Sequence, residues 1–393
     1  MNKQTVKDVQ LKDKKIIVRV DFNVPLENGH ITDDRRITAA LPTIQYALSQ
    51  GASKVILMSH LGRPKGVGFE SEFSLKSIAD HLQELLKEPV AFLKDCVGPD
   101  VVAAIANSKE RVVLLENLRF HKEEEKNDAG FAKSLAALAD IYVNDAFGTA
   151  HRAHASTAGI TAYLPSVAGF LIEKELQYLG NAINDPKRPL VVILGGAKVS
   201  DKIELINNLI PKANSIIIGG GMAYTFLKAQ GIAIGNSKLE KDKVNLAKEL
   251  LEKAKKVDVE MALTTDFVIT QSFMSDDCKI SDVIPDGWES LDIGPKTRER
   301  YKQILSTAKT VVWNGPLGVF ERDAYVKGTR AIADYLASLK DVTTIIGGGD
   351  SAAAVAKFGL EDRFTHISTG GGASLEYLEG KTLPGIAALN EKK

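Results

Sequence analysis

Four arginines in the first 152 residues stand where polar segments follow or adjoin β-branched runs: Arg36, Arg63, Arg119 and Arg152. Arg36 lies early in a helical stretch after Asp33-Asp34. Arg63 lies in Ser59-His60-Leu61-Gly62-Arg63-Pro64, Arg119 in Glu116-Asn117-Leu118-Arg119, and Arg152 in the segment Asn144 to His154 that contains His151. Asp21-Phe22-Asn23 follows the first such run. A guanidinium fork meets carboxylate or phosphate oxygens in pairs, so several forks delivered to one edge of a sheet fit a small polyanion. One arginine alone reads as a surface ion pair; four at comparable positions point to a shared anion. His60 alone reads as a loop histidine, and its case rests on its nearness to Arg63.

The second half carries glycine in the corresponding places. Gly195-Gly196-Ala197-Lys198-Val199-Ser200-Asp201-Lys202, Gly219-Gly220-Gly221, Asn314-Gly315-Pro316-Leu317-Gly318, Gly347-Gly348-Gly349-Asp350-Ser351 and Gly370-Gly371-Gly372-Ala373 each follow an apolar run. Glycine lets backbone amides approach phosphate, and a following helix adds its positive end. Lys198 and Lys202 are spaced to share a helical face if the helix has begun at Lys198; they read as phosphate ligands or as solvated lysines. Asp350 reads as a helix N-cap or as a Mg²⁺ carboxylate, two compatible roles.

These loops need strands to hold them. Lys15–Val20, Lys54–Met58, Arg111–Leu115, Ile141–Val143, Leu190–Leu194, Ser215–Ile218, Thr310–Trp313, Thr343–Ile346 and Phe364–Ile367 are continuous apolar runs, which predict parallel strands buried on both faces. Helical patterns over Leu75–Lys87, Phe131–Asp140 and Lys241–Lys256 lie between them. The βαβα order predicts an α/β fold of two Rossmann-like domains, parallel sheets flanked by helices, joined by an interdomain helix and with the ligand cleft between them. A helix over Val167–Ile183, broken at Asn184-Asp185-Pro186, supplies the junction. The expected division is 1–166, the joining helix 167–185 and 186–372, with a remaining segment 373–393 whose placement the residues alone do not reveal.

Length agrees, since 393 residues exceed one ordinary core. Fifty basic and fifty acidic side chains give a net charge of zero, against a protein that grips nucleic acid. Cys96 and Cys278 are the only cysteines and lack CxxC spacing, against a disulfide framework or structural zinc. The polar, lysine-rich start is not a secretory signal and no run is long enough to span a bilayer, so a soluble, cytoplasmic protein without membrane partners is expected. A dehydrogenase would need an acidic residue after the second strand of its nucleotide half, where Ile218 and Gly219 stand. A P-loop GxxxxGK[ST] and an HRD…DFG set are also absent. The remaining alternative is a catalytically silent nucleotide-binding or scaffolding protein, which would have lost Lys198, Asp350 or several arginines; all are present.

Taken together the loops resemble those of the phosphoglycerate kinase family. RVDFNVP from Arg19, SHLGRP from Ser59, ENLRF from Glu116 and AHRAHAS from Ala150 resemble its first domain. GGAKVSDK from Gly195, GGGMAYTF from Gly219, WNGPLGVFE from Trp313, GGGDSAAA from Gly347 and GGGASLEYLEGK from Gly370 resemble its second. The resemblance implies that Asp21, Asn23, Arg36, His60, Arg63, Arg119, His151 and Arg152 bind phosphoglycerate. It implies a catalytic set of Arg36, Lys198, Gly371 and Gly372. It assigns nucleotide binding to Lys198, Lys202, Gly220, Gly294, Asn314, Pro316, Glu321, Gly348, Gly349, Asp350 and Ser351, with Mg²⁺ on Asp350. Ser351 stands where many relatives carry Thr and keeps the hydroxyl. The implied reaction is reversible phosphoryl transfer between 1,3-bisphosphoglycerate and ADP, by a monomer whose C-terminal stretch returns to the first domain. One substrate on each domain implies closure. Either attacking oxygen is already ionised at neutral pH, so no general base is required.

Overall fold

The structure, a computed structural model, describes residues 2–392. In its first unit, strands β1 (Lys15–Val20), β2 (Lys54–Met58), β3 (Val90–Phe92), β4 (Val112–Leu114), β5 (Ile141–Asp145) and β6 (Ser166–Ala168) form one sheet in the order β3-β4-β2-β1-β5-β6. All neighbours are parallel. From Ile16 to Val20 every residue of β1 is buried, as a strand covered on both faces requires. The helix Arg35–Ser49 lays Ile37, Ala40, Ile44 and Ala47 into the core at helical spacing. The strand order reverses between β1 and β5, and ligands of open α/β sheets sit beyond the carboxyl ends at such a reversal. Asp21 and Ala146 begin the loops there.

The second unit repeats the plan. Strands β7 (Leu190–Leu194), β8 (Ser215–Ile218) and β9 (Glu260–Ala262) precede a separate antiparallel sheet of β10 (Phe267–Thr270), β11 (Lys279–Ser281) and β12 (Glu289–Ile293). Then β13 (Thr310–Asn314), β14 (Thr343–Gly347) and β15 (His366–Ile367) complete a parallel sheet ordered β9-β8-β7-β13-β14-β15. Its reversal lies between β7 and β13, whose loops are Gly195 to Lys202 and Gly315 to Val319. Trp313, fully buried, anchors the end of β13 by donating its indole N–H to Gly315 O at 2.7 Å.

By contacts, one unit holds the chain up to Gln177 and again from Thr382, the other Tyr178–Lys381. The first division falls inside the helix Phe170–Asn184. In the first unit Asn144 Nδ2 donates to Gly385 O at 2.9 Å and Lys3 Nζ to Leu389 O at 2.7 Å, fastening the C-terminal segment.

Several expectations need correction. Val167 and Ala168 belong to strand β6, and the helix starts at Phe170 because buried Asp145 takes the Leu171 amide at 2.8 Å. The helix expected over Phe131–Asp140 runs Ala129–Ala136, started by Asp128, whose side chain accepts from Phe131 N. Phe364 packs in the core outside any strand, leaving His366–Ile367 as the edge. The antiparallel sheet was not expected at all: β11 exposes Lys279 and Ile280 and has no continuous apolar run.

Candidate active site

In the first unit the basic side chains converge on one histidine. Burial pushes the His60 imidazole pKa well below its ordinary value, and Arg19, Arg119, Arg36 and Arg152 depress it further. Three of the four sequence-expected arginines therefore share one electrostatic neighbourhood. His154 is driven down to about 4 by burial and by Arg19, Arg119, Arg152 and His151. Both rings are neutral at pH 7 and accept or donate without adding charge.

The arginines are less bare than the sequence suggested. Arg36 Nη1 meets Asp21 Oδ2 at 3.1 Å and donates to Asn23 O at 3.0 Å. Arg119 Nη2 lies 3.2 Å from exposed Glu125, while its Nη1 donates to Gly62 O at 2.8 Å. Asn23 Oδ1 accepts the Gly62 amide at 2.8 Å, so Asn23 ties the loops after β1 and β2 together. Arg152 donates to His151 Nε2 at 3.2 Å, and no carboxylate faces it or exposed Arg63 among the described residues. Arg119 Nε is buried without a partner, a donor left for a ligand. Within the ENLRF segment, Glu116 and Asn117 are structural. Glu116 accepts from Leu75 N, Asn117 N and Ser74 Oγ, and Asn117 Nδ2 donates to Leu61 O and Phe73 O.

Sequence reasoning missed the support beneath this cluster. Arg19, 1 % exposed, reaches Ser156 Oγ at 2.8 Å and His60 Nδ1 at 3.2 Å. Fully buried Glu124 takes the Ser156 amide and hydroxyl and lies 3.8 Å from His154. The signal was present, since an arginine inside an apolar strand must be paired.

In the second unit a cavity of about 420 Å³ opens beside the glycine loops. Gly196, Gly220, Pro316, Glu321 and Asp350 line it, so four of the expected nucleotide residues reach its wall. Tyr224, Phe273, Leu291 and Val319 add apolar surface, and Lys238 and Glu289 add charge. Residues Glu289 to Leu291 come from strand β12, so the unexpected sheet builds part of the wall. The volume suits a small organic ligand.

The glycines have a packing task of their own. A Cβ on Gly195 would fall 2.0 Å from Pro316 O, and one on Gly220 2.6 Å from Gly196 O. Gly195 and Gly196 donate their amides to Asn314 O and Pro316 O, and Gly220 to Leu317 O. These three loops are packed backbone against backbone, and those amides are spent within the protein. The helix after Lys198 starts only at Ile203, after a turn over Ser200–Lys202, so the two lysines do not share a helical face. The amides of Val199 and Ser200 are taken by the Glu240 carboxylate. The positive charge at this loop is on its side chains: exposed Lys198, with no partner among the described residues, and Lys202.

Lys202 donates to Asn314 Oδ1, and burial lowers its pKa while Asp201, Glu379 and Asp350 work against the shift. Asn314 Nδ2 is buried without a partner, 3.2 Å from where a Cβ of Gly348 would stand. Asp350 lies in the first turn of the helix Gly349–Lys357 and is not its N-cap, which is Gly348 at φ +85°. The Asp350 carboxylate is exposed and has no partner among the described residues, and the amides of this turn have no side-chain cap. Ser351 is fully buried and accepts the Gly315 amide at 2.6 Å. Gly371 (φ +52°) and Gly372 open the helix Gly372–Leu378 and do not line the cavity. Gly294 also lies off that wall, packed against Asp266.

Two doubly wound units, one gathering guanidinium groups and the other a nucleotide-sized cavity beside lysines, define a phosphoryl-transfer enzyme without a P-loop. Comparison with known proteins gives the same class. The profile of the family Phosphoglycerate kinase matches residues 6–381. The phosphoglycerate kinase of Moorella thermoacetica is 58 % identical and that of Fervidobacterium nodosum 56 %, each over the whole of both chains. The structure of phosphoglycerate kinase from Coxiella burnetii superposes with a TM-score of 0.89 at 42 % identity, and that from Pyrococcus horikoshii OT3 with 0.83 at 33 %, each covering 98 % of both chains. The chain belongs to the phosphoglycerate kinase family, and its activity is that of a glycolytic ATP-binding transferase. No described helix is long and apolar enough to cross a membrane.

Proposed function

We propose that the first unit binds 3-phosphoglycerate or 1,3-bisphosphoglycerate and the second binds ADP or ATP. Arg36, Arg63, Arg119 and Arg152 hold the oxygens of the acid substrate, with neutral His60 and the His151 ring beside them. Asp21 and Asn23 hold Arg36 and the Gly62 turn in place. Lys198 and the amides of Gly371 and Gly372 neutralise the transferring phosphoryl group from the second unit, and Arg36 acts on the acid substrate in the first. Lys202 and Asn314 take nucleotide phosphate oxygens. Gly220, Pro316 and Glu321 line the nucleoside, Glu321 bonding the ribose hydroxyls. Gly348, Gly349 and Asp350 present the opening turn of their helix to the phosphates, where unpaired amides favour anions. Ser351 acts from behind by fixing Gly315. Gly294, away from the cavity, leaves room for the Asp266 carboxylate that accepts the Lys296 and Thr297 amides.

The chemistry needs no proton transfer. In the ATP-forming direction an ionised oxygen of ADP attacks the acyl phosphate of 1,3-bisphosphoglycerate, and the leaving group is a carboxylate. Rate enhancement then comes from positioning and from positive charge placed where negative charge develops. Asp350, a carboxylate with no protein partner beside a phosphate-binding lysine, suits a hard cation held by one carboxylate and phosphate oxygens. Mg²⁺ held there would supply charge neutralisation between nucleotide phosphates. We propose a cytoplasmic monomer.

The observation that carries this reading is the shared field of Arg36, Arg119 and Arg152 at His60, with no carboxylate facing Arg152. Binding each substrate to the full-length protein tests it. Arg152→Ala should weaken 3-phosphoglycerate binding by about 10-fold or more, the loss of a charge-assisted bond, and leave ADP binding unchanged. Unchanged affinity for 3-phosphoglycerate would refute the assignment.

A further inference from the structure

Cys96 lies outside both sites, yet its surroundings are not those of an ordinary core thiol. It follows Asp95 in the loop between β3 and the helix Pro99–Asn107. Its Sγ, a carboxylate oxygen of Asp95 and a ring nitrogen of His121 lie within 4.8 Å of one another. Thiol, imidazole and carboxylate from two separate loops are the donors that a borderline divalent cation takes. A buried cysteine kept only for packing has apolar neighbours. Here the buried sulfur instead has a carboxylate and an imidazole beside it.

We propose that Cys96, His121 and Asp95 form a three-ligand binding site for Zn²⁺, with solvent completing the coordination. Tetrahedral bonds of about 2.0–2.3 Å set donors about 3.3–3.8 Å apart. The cluster must therefore tighten around its sulfur, and the 2.7 Å contact of His121 Nε2 with Asp95 Oδ1 must open. Both side chains are part-exposed, 30 % and 52 %, and have room to do so. Asp95 Oδ1 also accepts the Cys96 amide at 2.7 Å, and its second oxygen can meet the ion.

The site has a reach. His121 pairs with Val67 in a β-bridge, and Lys122 N donates to Gly66 O at 3.1 Å. An ion on His121 would thus stiffen the segments that carry Arg63 and Arg119. Zn²⁺ should then change KM for phosphoglycerate and not for nucleotide. That consequence rests on the substrate assignment above; ion binding itself does not.

The test is titration of the metal-stripped full chain with Co²⁺, then Zn²⁺, without nucleotide. One equivalent of Co²⁺ should give a thiolate-to-cobalt charge-transfer band and the intense visible bands of four-coordinate Co²⁺, both removed by Zn²⁺. Cys96→Ser should abolish the charge-transfer band, while Cys278→Ser and Asp350→Asn leave it intact. His121→Gln should weaken Zn²⁺ binding by at least about 10–100-fold and decides the matter if Cys96→Ser fails to fold. Co²⁺ binding without a thiolate band, or Zn²⁺ affinity undiminished in His121→Gln, overturns the proposal. If the metal binds as expected but KM for phosphoglycerate stays fixed, only the substrate assignment of this loop fails.

Discussion

At the scale of single residues, the division of labour is between groups that have protein partners and groups that do not. Arg36 is held by Asp21 and Asn23, while Lys198 stands exposed and unpartnered. Removing each should therefore read differently. Lys198→Ala is expected to lower kcat by roughly 10²–10³-fold with little change in ADP affinity, the pattern of a donor that matters in the transition state. Steady-state kinetics check this, and a kcat within threefold of the parent would remove Lys198 from that role. Arg36→Ala should raise KM for 3-phosphoglycerate as well, because it also frees buried Asp21 to repel the anion. The arginines and lysines were legible in the sequence because they recur after strands. Glu124 and Lys238 were not, and Arg19 was legible only as a charge needing a partner: their meaning lies in neighbours distant in the chain, 137 residues away for Arg19 and Ser156 and 32 for Glu124 and Ser156, or in a cavity wall.

At the scale of elements, the strand runs were legible because both-face burial leaves an unbroken apolar signature, as in Leu190–Leu194. Exposed strand β11 carries none, and residues 166–168 merged in the sequence with the helix that follows. Asp145, at the end of β5, makes that junction. It is fully buried, one carboxylate oxygen has no partner, and burial raises its pKa to about 7. A carboxyl whose folded pKa exceeds its unfolded value binds protons more tightly when folded. Its stabilising contribution is complete below about pH 4 and is lost as pH rises through about 7. Between those limits the unfolding free energy should fall by on the order of 1 kcal/mol per pH unit from this group. Asp145→Asn should flatten that slope in urea denaturation at pH 5, 6 and 7; an unaltered slope would contradict the burial argument. The glycine loops make a second test at this scale. Gly195→Ala pushes a methyl into Pro316 O, and a loss of about 2 kcal/mol or more is expected together with weaker ADP binding. Wild-type stability in that variant would mean the loops have room the geometry denies them.

At the scale of the whole molecule, the chain is two units with cores of their own, each built on a six-stranded parallel sheet. Each ligand should protect the unit that binds it. In hydrogen exchange, 3-phosphoglycerate should slow amides in the segments 59–64 and 116–121, and ADP those in 196–202 and 347–351. Protection of the second set by 3-phosphoglycerate alone would reverse the assignment. The two-unit plan was legible from chain length and from the contrast between arginine-bearing and glycine-bearing loops. Where the units divide was less so, because Gln177 and Tyr178 sit in one continuous helix with no change of composition.

The most direct test is ATP-dependent turnover of 3-phosphoglycerate by the purified full-length chain, with and without Mg²⁺, beside Lys198→Ala. Robust Mg²⁺-dependent turnover that falls at least about 100-fold in the variant is predicted. Folded protein that binds ADP but turns over no 3-phosphoglycerate would contradict the account.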